Sequence, residues 1–418
     1  MSIICGTDLS DPSSGTLDVA CALAAARGDR EVILVHVADP DHAEADLERD
    51  RAKLDAQAQA KTKSQPGTAI RTELVVGPTE ETLVGLAETE HCDLVVVAAR
   101  SVGTTAKKVG TTTGNLIART HVPVLVIRDP APWLAFEKKA RPLRVMLGVD
   151  DTATSELGIQ WVQALRARGP VEVVLAAIYY PDDAAEYYGV EMRSAVDRDP
   201  EIEKLMERDM LRRFGGDLTG VVARARRGLG RIGDHLIELA EEEKVDVIVV
   251  GTSQKTGLGR LGSVSSVVVH DAEVAVACIP PQAVLSTITV PILRGVLVAT
   301  DLSSFSNRAV PWAFAVAEPD AEIHVAHVVK DDEEVDVPEV TRALYALAPA
   351  GAKQVIRAHI VHGDDAAKAI AQCAARLGVD VICIASHGRS GITRALVGSV
   401  ADRLLRATRK PVLVLRPA

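Results

Sequence analysis

The stretch Val296–Ser306, VLVATDLSSFS, decides the fold, because an apolar strand ends there in an aspartate and continues into a serine-rich turn. The same pattern occurs twice more, as IICGTDLSDPS from Ile3 and as VMLGVDDTATS from Val145. An Ala-rich stretch follows each turn, so each copy predicts a strand, a helix N-cap and a helix. Repetition on this scale predicts three tandem copies of one structural unit. The aspartates that end the three strands are Asp8, Asp150 and Asp301.

Four further strand-like runs follow in each copy, and helical stretches separate them. Runs such as VVLAA, LVVVAA and VIVVG are continuously apolar and rich in valine, as is typical of parallel strands buried on both faces. Alternating strands and helices imply parallel crossovers and a doubly wound sheet. We therefore expect an α/β protein of three flavodoxin-like domains, each a five-stranded parallel sheet with helices on both faces.

A fixed spacing supports the alignment of the three copies. A Gly-Ser or Gly-Thr pair precedes the same point of the fifth strand by thirteen residues each time, at Gly110, Gly262 and Gly398. Proline-containing linkers separate the copies, so the expected domains span residues 1–130, 142–281 and 292–418. The middle domain is the most divergent. Its extra segment, about residues 180–213, predicts an irregular excursion followed by an amphipathic helix.

The composition excludes several classes of function. The formal net charge of the 418-residue chain is −10, which argues against binding to nucleic acid or to an anionic membrane. No run of 18 apolar residues predicts a membrane span, and no secretory signal is evident at the start, so we expect a cytoplasmic protein. The six cysteines lack a C-x-x-C pair and the histidines lack metal-ligand spacing, so neither disulfides nor a metal site is expected.

These motifs resemble the universal stress protein family, in three tandem copies that cover nearly the whole chain. The resemblance rests on the TDLS turn, on the HV pair late in the second strand, and on ASHG with its downstream Gly-Ser and the KPVLVLR close. It implies the adenine nucleotide alpha hydrolase-like variant of the fold. It also implies a role in stress response or regulation, with the third domain closest to the ATP-binding type.

In the third domain the resemblance predicts an adenine-nucleotide site. ATP-binding members carry G-x-x-G, nine residues and then G-[ST], and here ASHG from Ala385 is followed by nine residues and Gly398-Ser399. Gly388 lets backbone approach phosphate oxygens, and the helix that starts near Ser399 favours an anion. The resemblance implies that Asp301 contacts the adenosine and that Val328 offers backbone atoms to adenine. The predicted site residues are Asp301, Val328, Ala385, His387, Gly388, Gly398, Ser399 and Val400.

The other two copies depart from this loop. In the first, Ser101 replaces the phosphate-facing glycine and the loop is one residue short. In the middle copy, Gln254 replaces that glycine and the loop is two residues short. Tyr179 and Tyr180 end the second strand of the middle copy. They could stack on a base, but we expect them to pack in the core or in an interface. The weaker candidates for a nucleotide site in the first domain are Asp8, Val37, Gly110 and Thr111.

Three functions remain open from the sequence. The first is binding of ATP, with or without Mg²⁺, by a regulatory protein that is not an enzyme. The second is slow ATP hydrolysis or autophosphorylation at the same site. The third is an interaction scaffold that binds no nucleotide. The sequence contains no P-loop, kinase signature or Ser-His-Asp arrangement, so no catalytic residue is predicted.

The fifth strands predict the assembly. They are apolar and lie at sheet edges, which require covering. Members of the resembled family usually pair through this strand. With three copies, two can pair within the chain and the third is left for another chain, so we expect a homodimer.

Overall fold

The strands follow the valine-rich runs and the helices follow the Ala-rich stretches, because β-branched residues suit a buried pleated sheet and alanine suits a helix. The computed structural model describes residues 2–29, 31–64, 67–99, 111–194, 197–252, 263–283, 292–385 and 399–415. Two compact units are present. The first comprises residues 1–178 and 213–288, and the second comprises residues 179–212 and 289–418.

The first domain alternates strands and helices along its described length. Its strands are β1 (Ser2–Gly6), β2 (Glu31–Ala38), β3 (Ala69–Val76), β4 (Leu94–Ala98) and β5 (Val124–Ile127). Its helices are α1 (Asp11–Arg27), α2 (Glu44–Ser64), α3 (Thr79–Thr89) and α4 (Thr111–Arg119). The helix α5 (Ala131–Glu137) follows in the linker and buries Trp133 and Phe136.

The middle domain repeats this order with an addition. Its strands are β6 (Leu143–Gly148), β7 (Val171–Tyr179), β8 (Val221–Arg227), β9 (Val247–Gly251) and β10 (Ala275–Ile279). Its helices are α6 (Ala153–Arg166), α7 (Pro181–Tyr188), α8 (Pro200–Phe214), α9 (Ile232–Glu242) and α10 (Val264–Asp271).

The third domain again has five strands among its described residues. They are β11 (Gly295–Ala299), β12 (Glu322–Val329), β13 (Val355–His362), β14 (Val381–Ala385) and β15 (Val412–Leu415). Its helices are α11 (Ala309–Val316), α12 (Val337–Ala346), α13 (Ala366–Leu377) and α14 (Ser399–Ala407), and a short 3-10 turn at Ser306–Arg308 precedes α11.

Each domain forms five parallel strands in the same spatial order. In the third domain this order is β13-β12-β11-β14-β15. The first strand is central, and the chain winds outward from it first in one direction and then in the other. The predicted doubly wound α/β fold with three tandem repeats is therefore confirmed.

The first two domains join through their fifth strands. β5 pairs antiparallel with β10, which makes one ten-stranded sheet. Every residue of β5 and of β10 is buried, and one apolar cluster continues across the seam from Val95 and Val124 to Ile248 and Val276. Two fifth strands were expected to pair within the chain. The structure identifies them as those of the first and middle domains.

The extra segment of the middle domain packs with the third domain. Residues 179–212 belong to the same compact unit as residues 289–418. The predicted excursion contains a helix of its own, α7, which begins at Pro181 and ends at Tyr188, and Gly189 follows in the left-handed conformation (φ 60°). Proline at a helix start and glycine just past its end are the usual delimiters, and both are visible in the sequence. The destination of the segment was not predicted.

All six cysteines are free and buried. Burial raises the pKa of the thiols of Cys278 and Cys383 to about 12, so they stay protonated as small apolar groups.

The pairing of β5 with β10 predicts that two leucines at equivalent positions contribute differently to stability. Leu125 of β5 is fully buried, whereas Leu413 of β15 is partly exposed. Leu125→Ala should lower the free energy of unfolding by roughly 2–5 kcal/mol, because it leaves a cavity in a packed core. Leu413→Ala should lower it by only about 1–2 kcal/mol, since less apolar surface is buried there. Urea denaturation of both variants, at a protein concentration at which the chain is monomeric, tests this, and equal losses would contradict the difference in packing.

Candidate functional site

Three of the predicted residues lie at the carboxyl edge of the five-stranded sheet, which the third domain forms. β11 lies between β12 and β14, with Ala299 beside Ala326 on one side and beside Ile384 on the other. The chain winds from β11 to β12 and β13 on one side and then to β14 and β15 on the other side. Open α/β sheets usually bind ligands outside the strand ends at such a reversal. Asp301 follows β11, Val328 lies late in β12, and Ala385 ends β14. The fold therefore brings these residues to one edge.

The turn after β11 is held by a hydrogen-bond network. The buried Thr300 hydroxyl accepts a hydrogen bond from the Leu302 amide at 2.9 Å and donates one to Asn307 Oδ1 at 2.7 Å. Asp301 Oδ1 accepts from the Ser303 amide at 2.9 Å and from the Ser306 hydroxyl. Leu302 has a positive φ of 63°, which is unfavourable for a residue with a Cβ, so the network holds a strained backbone.

The charge of Asp301 is stabilised by this turn. Partial burial alone would raise its pKa, but the hydrogen bonds from Ser303 and Ser306 outweigh that effect and lower the pKa below its ordinary value. The side chain is exposed at the sheet edge. It is therefore an ionised acceptor whose second oxygen can receive a hydrogen bond from a ligand hydroxyl.

The histidine of the HV pair connects the second strand to the turn. His327 Nδ1 lies 3.0 Å from the Thr300 carbonyl oxygen, which fixes the end of β12 against the turn. The first domain repeats this arrangement, since His36 Nδ1 lies 2.9 Å from the Thr7 carbonyl oxygen and Leu9 has a φ of 62°. The TDLS and HV motifs are thus two halves of one structural element in these two domains.

The middle domain lacks this element. Val149 stands at the position of the threonine, and the second strand carries no histidine at the position of the HV pair. Asp150 still accepts hydrogen bonds from the amide and the hydroxyl of Thr152, at 2.9 and 2.5 Å. Tyr179 is buried, and its hydroxyl donates to Glu203 at 3.3 Å, which matches the packing role expected for it.

The phosphate side of the predicted site is described only at its ends. His387, Gly388 and Gly398 lie outside the described residues, as does Gly110 of the first domain. Helix α14 begins at Ser399, and α4 begins at Thr111. Val400 and Val328 pack against the same apolar cluster beneath α13 and α14, and Val37 packs against the corresponding cluster of the first domain. The helix α14 therefore lies on the sheet face to which Val328 points.

Two further properties concern the described part of the chain. No helix there is long and apolar enough to cross a membrane. No group of three or more His, Cys, Asp or Glu side chains there is arranged to hold a metal ion.

The fold and the repeated strand-end turns define a class of tandem α/β domains in which the first strand lies at the centre of the sheet between the second and the fourth. The sequence model of the "Universal stress protein family" matches residues 1–128, 143–280 and 293–416. Because these matches cover most of the chain, the protein belongs to the universal stress protein family.

Individual relatives agree with this assignment. A universal stress protein of Mycobacterium tuberculosis is 33% identical over 196 residues, which cover 43% of this chain and 64% of that protein. The match thus spans less than two thirds of that relative. A universal stress protein of Mycolicibacterium smegmatis is 25% identical over 65% of this chain and 97% of its own length.

Solved structures share the fold. A universal stress protein from Archaeoglobus fulgidus covers 67% of this chain and 96% of its own, with a TM-score of 0.51 and 14% identity. This likeness concerns the fold. A universal stress protein solved in complex with cAMP aligns with 30% of this chain at 25% identity and a TM-score of 0.27, and the ligand belongs to that protein.

The hydrogen bonds of the Thr300 hydroxyl predict the effect of removing it. Thr300→Val should destabilise the protein by about 1–3 kcal/mol, because the Leu302 amide and the Asn307 side chain lose a buried partner. Thr300→Ser keeps the hydroxyl and serves as the control, with most of the stability retained. Urea denaturation measures both variants. A Thr300→Val variant as stable as the parent chain would show that the network does not hold the turn.

Proposed function

We propose that this protein binds ATP in its third domain and that binding serves stress response or regulation without requiring catalysis. The observation that carries the proposal is the arrangement of Asp301, Val328 and Ala385 at the ends of three adjacent strands, on either side of the point where the winding reverses. Crevices of this kind receive nucleotides in open α/β sheets.

The chemistry of the described residues fits an adenine nucleotide. The ionised Asp301 carboxylate accepts hydrogen bonds from ribose hydroxyls. The backbone of Val328, in the strand fixed by His327, offers a donor and an acceptor to the adenine edge. The partial positive charge at the N-terminus of α14 suits phosphate oxygens, and Mg²⁺ would be held by those oxygens. His387, Gly388 and Gly398 complete the proposed site from the sequence motif.

The three domains are proposed to differ in binding. The first domain keeps the threonine, the left-handed leucine and the histidine of the turn, so it is the second candidate, with Asp8, Val37, Gly110 and Thr111 as its residues. The middle domain has lost the threonine and the histidine and is proposed to be a scaffold. A cytoplasmic location is part of the proposal and is supported by six reduced, buried thiols.

ATP binding is tested by replacing Gly388 of the third domain with glutamine, the residue that the middle domain carries at the equivalent position, Gln254. Gly388→Gln should weaken ATP binding by at least tenfold, because a Cβ and an amide would occupy the space of the phosphate oxygens. Ser101→Gln changes the equivalent position of the first domain and should leave affinity and stoichiometry unchanged. Isothermal titration calorimetry of the full chain, with one ATP per chain expected for the parent, measures both.

Other outcomes favour the other functions. Three ATP molecules per chain, or a loss caused by Ser101→Gln alone, would contradict a single site in the third domain. ADP or phosphoprotein formed faster than roughly 0.1 per second would favour the enzyme. A protein that purifies without nucleotide and whose melting temperature ATP leaves unchanged would favour the scaffold, since a ligand of the folded state raises that temperature.

Pairing of two chains through β15 is also proposed. β15 ends the five-stranded sheet, and its four residues are partly exposed, whereas the equivalent residues of β5 are buried against β10. An apolar edge strand of this kind is a template for pairing with another chain. The antiparallel seam between β5 and β10 provides the geometry for such a contact.

A charge on the edge should prevent this pairing. Val414→Lys should convert a dimer of the full chain to a monomer, because the ammonium group would lie at the strand-to-strand contact while its stem covers the apolar surface. Val76→Lys changes β3, the edge of the other sheet, and should leave the mass unchanged. Light scattering at micromolar concentration measures the mass, and a monomeric parent chain would refute the proposed dimer.

A further inference from the structure

Residues 179–212, called here the clamp, lie in the sequence of the middle domain and pack on α13 of the third domain. The clamp contacts α13 along its length. Gln372 donates to the Glu186 carbonyl oxygen at 2.9 Å, and Arg376 donates to the Gly189 carbonyl oxygen at 3.1 Å. Lys368 forms an ion pair with the Glu186 carboxylate at 3.0 Å. The contact is therefore made by both backbone and side chains.

Two arginines of the clamp cap the C-terminal end of α13. Arg208 donates to the carbonyl oxygens of Ala375, at 2.8 Å, and of Arg376. Arg212 donates to the carbonyl oxygens of Leu377, at 3.4 Å, and of Gly378. The last carbonyl groups of a helix lack partners within the helix and carry partial negative charge, so guanidinium groups satisfy both needs.

Two glycines make room for these arginines. A Cβ on Gly378 would lie 2.7 Å from Arg208 Nε, and a Cβ on Gly295 would lie 3.1 Å from Arg212 Nη1. The backbone of Gly378 is left-handed, with a φ of 66°. At the equivalent positions of the other domains the same backbone is occupied by His91 (φ 51°) and Lys244 (φ 50°). The third domain alone of the three thus lacks a side chain where the arginine lies.

The middle domain provides a comparison for the cap. Arg144 stands in β6 at the position that Gly295 holds in β11. Its Nε donates to the carbonyl oxygen of Glu243, at the end of α9, at 2.6 Å. The middle domain therefore caps this helix with an arginine of its own first strand. In the third domain that residue is glycine, and Arg212 of the clamp supplies the cap instead.

A hydrogen-bonded pair of histidines, one buried and one half-buried, lies on β12 and β13, next to the strand β11 that carries Gly295. His324 Nδ1 of β12 is 3.0 Å from His359 Nε2 of β13, and His324 is only 5% exposed. The charged groups that act on the pair are Glu322, with a carboxylate oxygen 3.7 Å from His324 Nε2, and the guanidinium groups of Arg357 and Arg212. The neutral histidine pair is therefore under the influence of two guanidinium groups and one carboxylate.

We propose that the clamp is an acid-sensitive latch, which is docked on the third domain while the His324–His359 pair is neutral and is released when the pair takes up a proton. Added positive charge repels Arg212, the anchor that caps α13 between Gly295 and Gly378.

The pH range follows from the direction of the shift. Burial, followed by the neighbouring His359, lowers the pKa of His324 to about 4 from an ordinary value of 6.5. Arg212 of the clamp is one of the charges that lower this pKa, so the docked state takes up the proton less readily than a state from which Arg212 has withdrawn. Docking is therefore fully favoured above pH 6.5 and is weakened as the pH falls from there towards 4.

Hydrogen exchange of the full-length chain tests the latch. We expect the protection factors of amides in α7, and in α8 up to Arg212, to fall by about tenfold or more between pH 7 and pH 5, since one pKa unit of differential binding corresponds to a tenfold change. The double variant His324→Gln, His359→Gln leaves no titratable group in the pair and should remove this dependence. The carboxylates Glu186 and Asp209 also lie in the contact, so a dependence that persists in the double variant would assign it to groups outside the pair and overturn the proposal.

The arginine cap is tested at neutral pH. Gly378→Ala should lower the same protection factors at pH 7 by about tenfold, because the methyl group displaces Arg208. Gly28→Ala is the matched control, since Gly28 has the same left-handed backbone (φ 70°) with nothing within 4 Å of a Cβ. Arg212→Met removes the cap without adding strain in α13 and should give the same loss. Unchanged protection in Arg212→Met, or in the parent chain between pH 7 and pH 5, would refute the latch.

Discussion

An apolar edge strand is the constraint on which the assembly of this protein depends. The fifth strand of each repeat is a short run of aliphatic residues with one side unpaired, and such a strand must be covered to avoid exposing backbone groups and apolar side chains. The pairing of β5 with β10 satisfies the constraint for two repeats at once and produces a single ten-stranded sheet. An odd number of repeats leaves β15 at the edge of the second sheet, with its residues partly exposed.

The three repeats share a scaffold and differ at the strand-end turn. In the first and third domains a threonine, a left-handed leucine and a strand-two histidine form one hydrogen-bonded element, and the strain at the leucine is offset by those bonds. The middle domain keeps only the aspartate and its short-range bonds to Thr152. A strained backbone is retained only where its surroundings hold it in place. The middle domain lacks the threonine and the histidine of this element, and it also lacks the left-handed leucine.

The middle domain has acquired a different role. The segment that follows its second strand forms α7 and α8 and packs on α13, where its arginines replace a cap that the third domain does not supply. The glycines Gly295 and Gly378 accommodate this contact. The repeat whose sequence departs most from the loop motif thus contributes directly to the packing of the repeat in which that motif is best preserved.

The sequence by itself determined the repeats, the five parallel strands of each domain, the buried thiols and the candidate site motif, because periodicity and strand-end residues are local signals. It also predicted that two fifth strands would pair. Which two strands pair, and where residues 179–212 dock, only the tertiary structure decided. Leu125 and Leu413 occupy equivalent positions in similar strands, and their burial differs because of a partner strand distant in sequence. Likewise, Arg208 and Gly378 are 170 residues apart, and neither residue alone indicates that the other will fill the space beside it.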